Sequence, residues 1–534
     1  MLTDDFHVFD TTLRDGAQRE GISYSVSDKL AVARLLDQLG VGFIEGGWPG
    51  AMPKDSEFFA RAADGELILK NAVLTAFGAT RRAGVAVEDD PQVGALLESR
   101  ASTICIVAKS DVAHVELALR TTPEENLAMV HDTVAFLVSH GRRVFVDLEH
   151  FFDGYKRDSA YGVAVLDAAA AAGADVGVLC DTNGGMLPMG VRDIVTDVRS
   201  RTGIRLGIHT QNDTGCAVAN TFAAVDAGAT HVQGTANGYG ERAGNADIFA
   251  VIGGLVTKMG LDVLPDGCLA EMSRVSHAIA EIANLAPDTH QAYVGISAFA
   301  HKAGLHASAI KVKPELYNHL DPAVVGNNQR ILVTEMAGRA SIELKSQELG
   351  IDIAGREDVV SAVVGKVKER EAQGWSYEAA DASFELLMRD TMKDMVETFT
   401  VESYRVIIDR REDGVPMSEA TVKVRAAGGE RAIRTEEGNG PVNALDRALR
   451  SALETIYPRL RDFELSDYKV RILSGRHGTD AVVRVLVQTT DVGAADPTVW
   501  TTVGVHGNVI EASWLALHDA VRYGLLRELS RDQD

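Results

Sequence analysis

The sequence predicts an α/β chain: a closed (β/α)8 barrel, a helical linker and a C-terminal α+β domain made of duplicated βββα units. Three observations carry this. Short β-rich runs at 6–9, 42–45, 72–77, 102–108, 143–148, 175–180, 205–209 and 231–234 recur at the spacing of one βαβ unit, about 30 residues. Ionisable residues gather just after these runs, whose interiors are Val, Ile, Leu and Ala. Beyond residue 391 a pattern of three strands and a helix occurs twice, an internal repeat.

The first eight units could also form an open, doubly wound sheet, but eight near-equal repeats favour closure. Between the runs the helices carry start and stop signals. Thr122-Pro123-Glu124-Glu125 reads as an N-cap, a proline at the first helical position and a capping-box Glu, and His140-Gly141 reads as the stop. The expected domains are a barrel at 1–265, helical linker subdomains at 266–390 packing near the barrel mouth, and a duplicated C-terminal domain at 391–534. In that last domain strands are expected at 404–410, 419–424 and 430–435 with a helix at 441–456. The order then repeats with strands at 467–473, 480–488 and 498–505 and a helix at 509–529. Two copies suggest pseudo-twofold packing with a ligand or partner at the seam.

Composition narrows the function classes. At 534 residues the chain exceeds one ordinary core. Its net charge of −23 argues against a nucleic-acid partner, which needs a basic surface. No run of about 18 apolar residues is present, so no membrane span is expected. The acidic start at Asp4-Asp5 is unlike a secretory signal, and the expected compartment is the cytoplasm. Cys105, Cys180 and Cys216 lie in core-like surroundings and Cys268 in a loop, so a disulfide framework or zinc–thiolate site is not expected.

In barrels of this kind the chemistry sits at the C-terminal ends of the strands. Reading those ends gives Asp10 to Asp15, Glu45, Phe77, Lys109, Glu149, Asp181 with Thr182, His209, and Gly238 to Asn245. The first end, Phe9-Asp10-Thr11-Thr12-Leu13-Arg14-Asp15-Gly16-Ala17-Gln18, releases carboxylates, a guanidinium and an amide together. At the seventh, His209 and Gln211 project to one side of an extended segment. At the eighth, Gly238-Tyr239-Gly240-Glu241-Arg242-Ala243-Gly244-Asn245 is no dinucleotide fingerprint, because no ribose-binding acid follows a strand–turn–helix.

These segments resemble the signatures of the barrel enzymes that condense acetyl-CoA with a 2-oxo acid, the isopropylmalate, homocitrate and citramalate synthases. The resemblance covers nearly the whole chain. It implies a divalent metal (Mg²⁺ or Mn²⁺, with Zn²⁺ as an option) held by Asp15, His209 and Asn245. The family usually shows His-x-His at the seventh strand, and this chain has Gln211 in the second place. Gln211 would then ligate directly, hold a metal-bound water, or leave the metal bound less tightly. By the same resemblance Arg14 stabilises the alkoxide, while Arg14, Gln18, Glu45 and Thr182 bind the 2-oxo acid. Glu149 pairs with His306 as the catalytic dyad beside Tyr317, and would work best with a raised pKa among apolar neighbours. Gly238, Gly240 and Gly244 would let acetyl-CoA approach closely; an acidic whole does not preclude a local site for CoA.

Ile44-Glu45-Gly46-Gly47-Trp48-Pro49-Gly50 and Glu149-His150-Phe151-Phe152-Asp153-Gly154-Tyr155-Lys156 look like the citramalate branch. That implies pyruvate as the keto acid, a place in isoleucine synthesis and a homodimer inhibited by isoleucine. The equivalent loop-to-helix positions Gly440 with Asn443, and Asn508 with Glu511, are the expected effector contacts, through free helix N–H groups. The alternatives are isopropylmalate synthase or a related condensing enzyme, a lyase or carboxyltransferase on the same barrel, and a catalytically silent ligand sensor.

Overall fold

The computed structural model describes residues 4–334, 338–410, 414, 416–473, 481–493 and 497–531. Two compact units divide the chain, 1–299 with 319–329, and 300–318 with 330–534.

The first unit holds the barrel. Its strands are β1 (His7–Asp10), β2 (Phe43–Gly47), β3 (Val73–Ala79), β4 (Thr103–Lys109), β5 (Arg143–Glu149), β6 (Val176–Asp181), β7 (Arg205–Thr210) and β8 (His231–Gly234). Each pairs in parallel with the next, and β1 pairs with β8, closing a TIM-type barrel. All eight predicted runs are strands, with ends displaced by two residues at most. Strand β2 matters most: it continues past Glu45 to Gly47, with a register shift against β3.

Because side chains alternate along each strand, every second residue enters the barrel. Phe9, Phe43, Phe77, Cys105, Phe145, Val176, Val178 and Cys180 form one interior cluster. Its aromatic rings meet edge to face, Phe43 on Phe145 at 5.1 Å and Phe9 on Phe145 at 5.9 Å. Polar layers lie at the two ends of this plug. Around it the outward residues of the strands pack on helices such as Val26–Leu39, which opens with a reciprocal Ser25–Asp28 capping box that sequence reading missed. The helix Pro123–Ser139 starts as predicted, with Thr122 accepting from Glu125 N–H. Glu125 does not close the box; its carboxylate takes Arg81 and the Gly84 N–H instead. All four cysteines are free, with Cys105 and Cys180 buried, whereas Cys216 is only half-buried and not core. Among the described residues no helix is long and apolar enough to cross a membrane.

In the second unit a short parallel pair, β9 (Ala300–His301) and β10 (Arg330–Ile331), precedes two antiparallel three-stranded sheets. The first is β11 (Phe399–Arg410), β12 (Pro416–Ala426) and β13 (Arg431–Gly438), followed by helix Pro441–Leu453. The second is β14 (Phe463–Ile472), β15 (Val483–Asp491) and β16 (Thr498–His506), followed by helix Val509–Arg531. The predicted start at Asp480 lies outside the described residues. The copies agree in detail: the first strand of each carries a bulge near its start, between Val401 and Ser403 and between Leu465 and Asp467. Helices Glu357–Ala372 and Asp381–Met392 bury Val363, Val367, Phe384 and Met388 in one core with Val503 and Val505 of the second copy.

Candidate active site

The carboxyl ends of the barrel strands open into a cavity of about 260 Å³ lined by Arg14, Asp15, Gln18, Trp48, Phe77, Asp147, Glu149, Thr182, His209 and Gln211, among others. Four potential ligands converge at one side. His209 Nε2 stands 3.3 Å from Asp15 Oδ2, and the Gln211 amide nitrogen 3.5 Å from Asp15, 3.4 Å from His209 Nε2 and 3.0 Å from Asn245 Oδ1. Metal–oxygen bonds of about 2.1 Å at right angles place neighbouring ligands about 3.0 Å apart, close to the 3.3 Å between Asp15 Oδ2 and His209 Nε2, while the Gln211 amide nitrogen donates hydrogen bonds to Asp15 Oδ2 and Asn245 Oδ1. Gln211 Oε1 is buried with no hydrogen-bond partner, an orphan acceptor of the kind a cation satisfies. The residues therefore fit a divalent metal, and oxygen donors with one imidazole suit Mg²⁺, Mn²⁺ or Zn²⁺ without deciding among them.

Electrostatics support that arrangement. Burial opposes ionisation of Asp15, but Arg14 and His209 outweigh it and hold the carboxyl down at about 2. Burial likewise opposes the imidazolium of His209, yet Asp15 raises its pKa. Arg14 donates to Glu45 Oε2 at 2.6 Å and lies over the Phe77 ring at 3.9 Å, so its guanidinium has one orientation. A second group of ligand types, Glu45, Cys105 and Asp147, lies deeper. Burial pushes the Cys105 thiol well up and Glu45 to about 7, and Glu45 is already paired with Arg14. That group underpins the cavity floor.

Several predicted residues sit otherwise than their sequence position implied. Glu45 is not on the cavity wall but fully buried against Arg14, because β2 runs two residues beyond it. Glu149 is on the wall, yet its neighbour is the Lys109 ammonium, with which it forms an ion pair, and not an apolar surface. Thr182 lines the cavity while its hydroxyl oxygen accepts from His150 N–H at 2.8 Å. The loop glycines clear the loop's own packing. A Cβ on Gly240 would come within 2.3 Å of the Asn245 amide, and one on Gly244 within 2.0 Å of Gly238 O. In the second unit His306 and Tyr317 stack at 4.1 Å.

At the tail, Gly440 is the N-cap of its helix and Asn443 Oδ1 accepts from Asn439 N–H at 3.3 Å. Asn508 Oδ1 takes the N–H groups of Ile510 and Glu511, and the Glu511 carboxylate takes the Tyr404 hydroxyl. At the second helix those N–H groups are thus occupied by the Asn508 side chain, contrary to the sequence expectation, whereas the first helix start has no side-chain cap.

Family models and curated relatives cover nearly the whole chain. Residues 5–279 match the HMGL-like family, 293–374 the homocitrate synthase post-HMGL domain-like family, and 378–525 the LeuA allosteric (dimerisation) domain. An (R)-citramalate synthase of Streptomyces coelicolor is 64% identical over 98% of this chain and 98% of its own length. One from Aquifex aeolicus is 46% identical over 99% of each. A probable 2-isopropylmalate synthase of Methanopyrus kandleri reaches 32% over 96% of this chain and 97% of its own. The chain belongs to the citramalate synthase family.

As a condensing transferase of that family, the chain shows residues that its motifs alone did not flag. Gln233 on β8 accepts from His209 Nδ1 at 2.8 Å and donates to Asp147 Oδ1 at 2.8 Å. Trp48 meets the Phe77 ring edge-on at 5.2 Å, and its indole N–H is fixed by Gln92 Oε1 at 2.9 Å. The signal for Gln233 was available: a polar side chain at an inward position of a buried strand.

Proposed function

We propose that this synthase-family chain condenses acetyl-CoA with pyruvate and water, releasing CoA and citramalate, in the cytoplasm and in the service of isoleucine synthesis. The observation that carries the reading is the convergence of Asp15, His209 and Gln211 beside a fixed Arg14 in one small rim cavity, with Asn245 bonded to Gln211. Asp15, His209 and Asn245 would hold the metal, with the Gln211 amide oxygen completing the set. Once bound, the metal supplies Lewis-acid polarisation of the keto group.

The chain's own groups do the rest. Arg14, clamped by Glu45 and Phe77, faces the developing alkoxide with a preset guanidinium, and no side-chain reorganisation is needed when charge forms. Thr182 turns its hydroxyl proton toward the 2-oxo carboxylate, its oxygen being held by His150 N–H. Glu149 takes the proton from the acetyl methyl group, with Lys109 keeping its carboxylate oriented. By family resemblance His306 would be the dyad partner of Glu149, beside Tyr317. Gly440 with Asn443, and Asn508 with Glu511, would contact isoleucine as the effector of a homodimer.

Thiol release with acetyl-CoA across pyruvate, 2-oxobutyrate, 2-oxoisovalerate and 2-oxoglutarate tests the reaction. The expected outcome is highest kcat/KM with pyruvate; a clear preference for 2-oxoisovalerate would move the chain to the isopropylmalate reaction. Calorimetric titration of isoleucine into the full chain, with and without an Asn443→Ala/Asn508→Ala change, tests the effector. Unaltered binding in the variant would place isoleucine elsewhere.

A further inference from the structure

We infer that Gln233 is a positioning residue that sets the tautomer of His209 and so presents its Nε2 lone pair to the metal. The inference rests on the metal reading above.

Gln233 is fully buried on β8, and both ends of its amide are engaged. The nitrogen end faces Asp147 Oδ1 at 2.8 Å, with His231 Nε2 at 3.4 Å. A carboxylate oxygen accepts and a carboxamide NH₂ group only donates, so the Asp147 contact fixes which end is which. The amide oxygen is then left for His209 Nδ1 at 2.8 Å. A carbonyl oxygen cannot donate, and Nδ1 must therefore carry the proton. The opposite ring nitrogen, Nε2, is the one directed at Asp15 Oδ2, 3.3 Å away, and at the Gln211 amide. A neutral imidazole ligates only through its unprotonated nitrogen, so the tautomer decides whether His209 offers a lone pair or an N–H to the cation.

The same contacts set the ring plane. His209 is held from one side by Gln233 and bounded by Asp15 on the other, and all three are buried. Asp147 thus acts at one remove: its carboxylate orients Gln233, and Gln233 orients His209.

Three measurements on the full-length chain test this. In metal-free protein at alkaline pH, ¹⁵N-histidine NMR should show the Nδ1–H tautomer for His209, its signals identified by their loss in His209→Ala. Gln233→Leu should weaken Mn²⁺ binding, read by calorimetry, by about 10- to 100-fold. Gln233→Glu combined with Asp147→Asn exchanges donor and acceptor between the two residues and keeps an acceptor on His209; it should recover most of the lost affinity. An Nε2–H tautomer in the unsubstituted chain overturns the inference, and so does a folded Gln233→Leu protein with parental Mn²⁺ affinity. A double variant no better than Gln233→Leu overturns it too. If Gln233→Leu does not fold, the NMR signature of the unsubstituted chain decides. His209→Ala separates the two levels. Unchanged Mn²⁺ binding in that variant sinks the metal reading itself, whereas loss there with none in Gln233→Leu sinks only the role of Gln233.

Discussion

The two ends of the barrel are built from the same residue types and behave in opposite ways. At the amino ends of the strands, His7 bonds to Asp4 at 3.0 Å and to His231 at 3.2 Å, and Arg143 bridges Asp4 and Asp175. Burial and the nearby Arg205 lower the His7 pKa to about 4, and burial takes His231 well below its ordinary value. At the carboxyl ends, His209 beside Asp15 is raised, and Gln211 Oε1 and Glu45 Oε1 are buried without partners. Polar groups that satisfy one another make a plug. Polar groups left unsatisfied, on rigid strand ends, make a site that waits for a ligand.

The comparison predicts where substitution hurts activity and where it hurts stability. The largest effect is expected for Asp15→Ala. Loss of an anchoring carboxylate removes several kcal/mol of Lewis-acid stabilisation, so turnover should fall on the order of 10³-fold or more. The melting temperature should stay near the parental one, and a fully active Asp15→Ala protein would remove the metal assignment. Next comes Arg14→Lys, which keeps the charge but not the planar fork that Glu45 and Phe77 hold. Its kcat should drop about 10²-fold with a smaller change in KM, since the contact matters most at the alkoxide. A raised KM at unchanged kcat contradicts that role.

At the opposite end the cost should appear as pH-dependent stability. The folded His7 pKa of about 4 lies below the ordinary 6.5, so the unfolded chain binds the extra proton first. The contribution is therefore intact above pH 6.5 and is lost as pH falls from there towards 4. It amounts to at most about 3 kcal/mol. Urea unfolding of the parent and His7→Gln between pH 7 and 4 measures it; parallel pH profiles would show that the plug carries no such penalty. The smallest effect sharpens the site: Gln211→His should tighten Zn²⁺ binding about tenfold, ~1.4 kcal/mol, because imidazole is the stronger donor. Unchanged affinity would count against Gln211 as a ligand position.

Much of this molecule was legible in its order of residues. Eight β-rich runs at βαβ spacing, the repeat after residue 391, and His209 paired with Gln211 by strand alternation all depend on local periodicity, which one chain displays by itself. Asp15, His209 and Asn245 lie far apart in sequence yet were named together through motif resemblance, and they converge in space. What sequence could not supply were facts about depth and partners. Glu45 looked like a rim residue because its run seemed to end there; two further residues of strand sink it beneath Arg14. Glu149 was expected among apolar neighbours, but β4 brings Lys109 alongside it. Nor did sequence show that Gly240 and Gly244 also leave room for Asn245 and Gly238 O. The sequence alone determined the number of barrel strands, the repeat and the residue types at each strand end, because these follow from short-range pattern. Only the closed barrel decided which of those side chains face one another, which are buried and which remain unpaired, because such contacts join strands dozens to hundreds of residues apart.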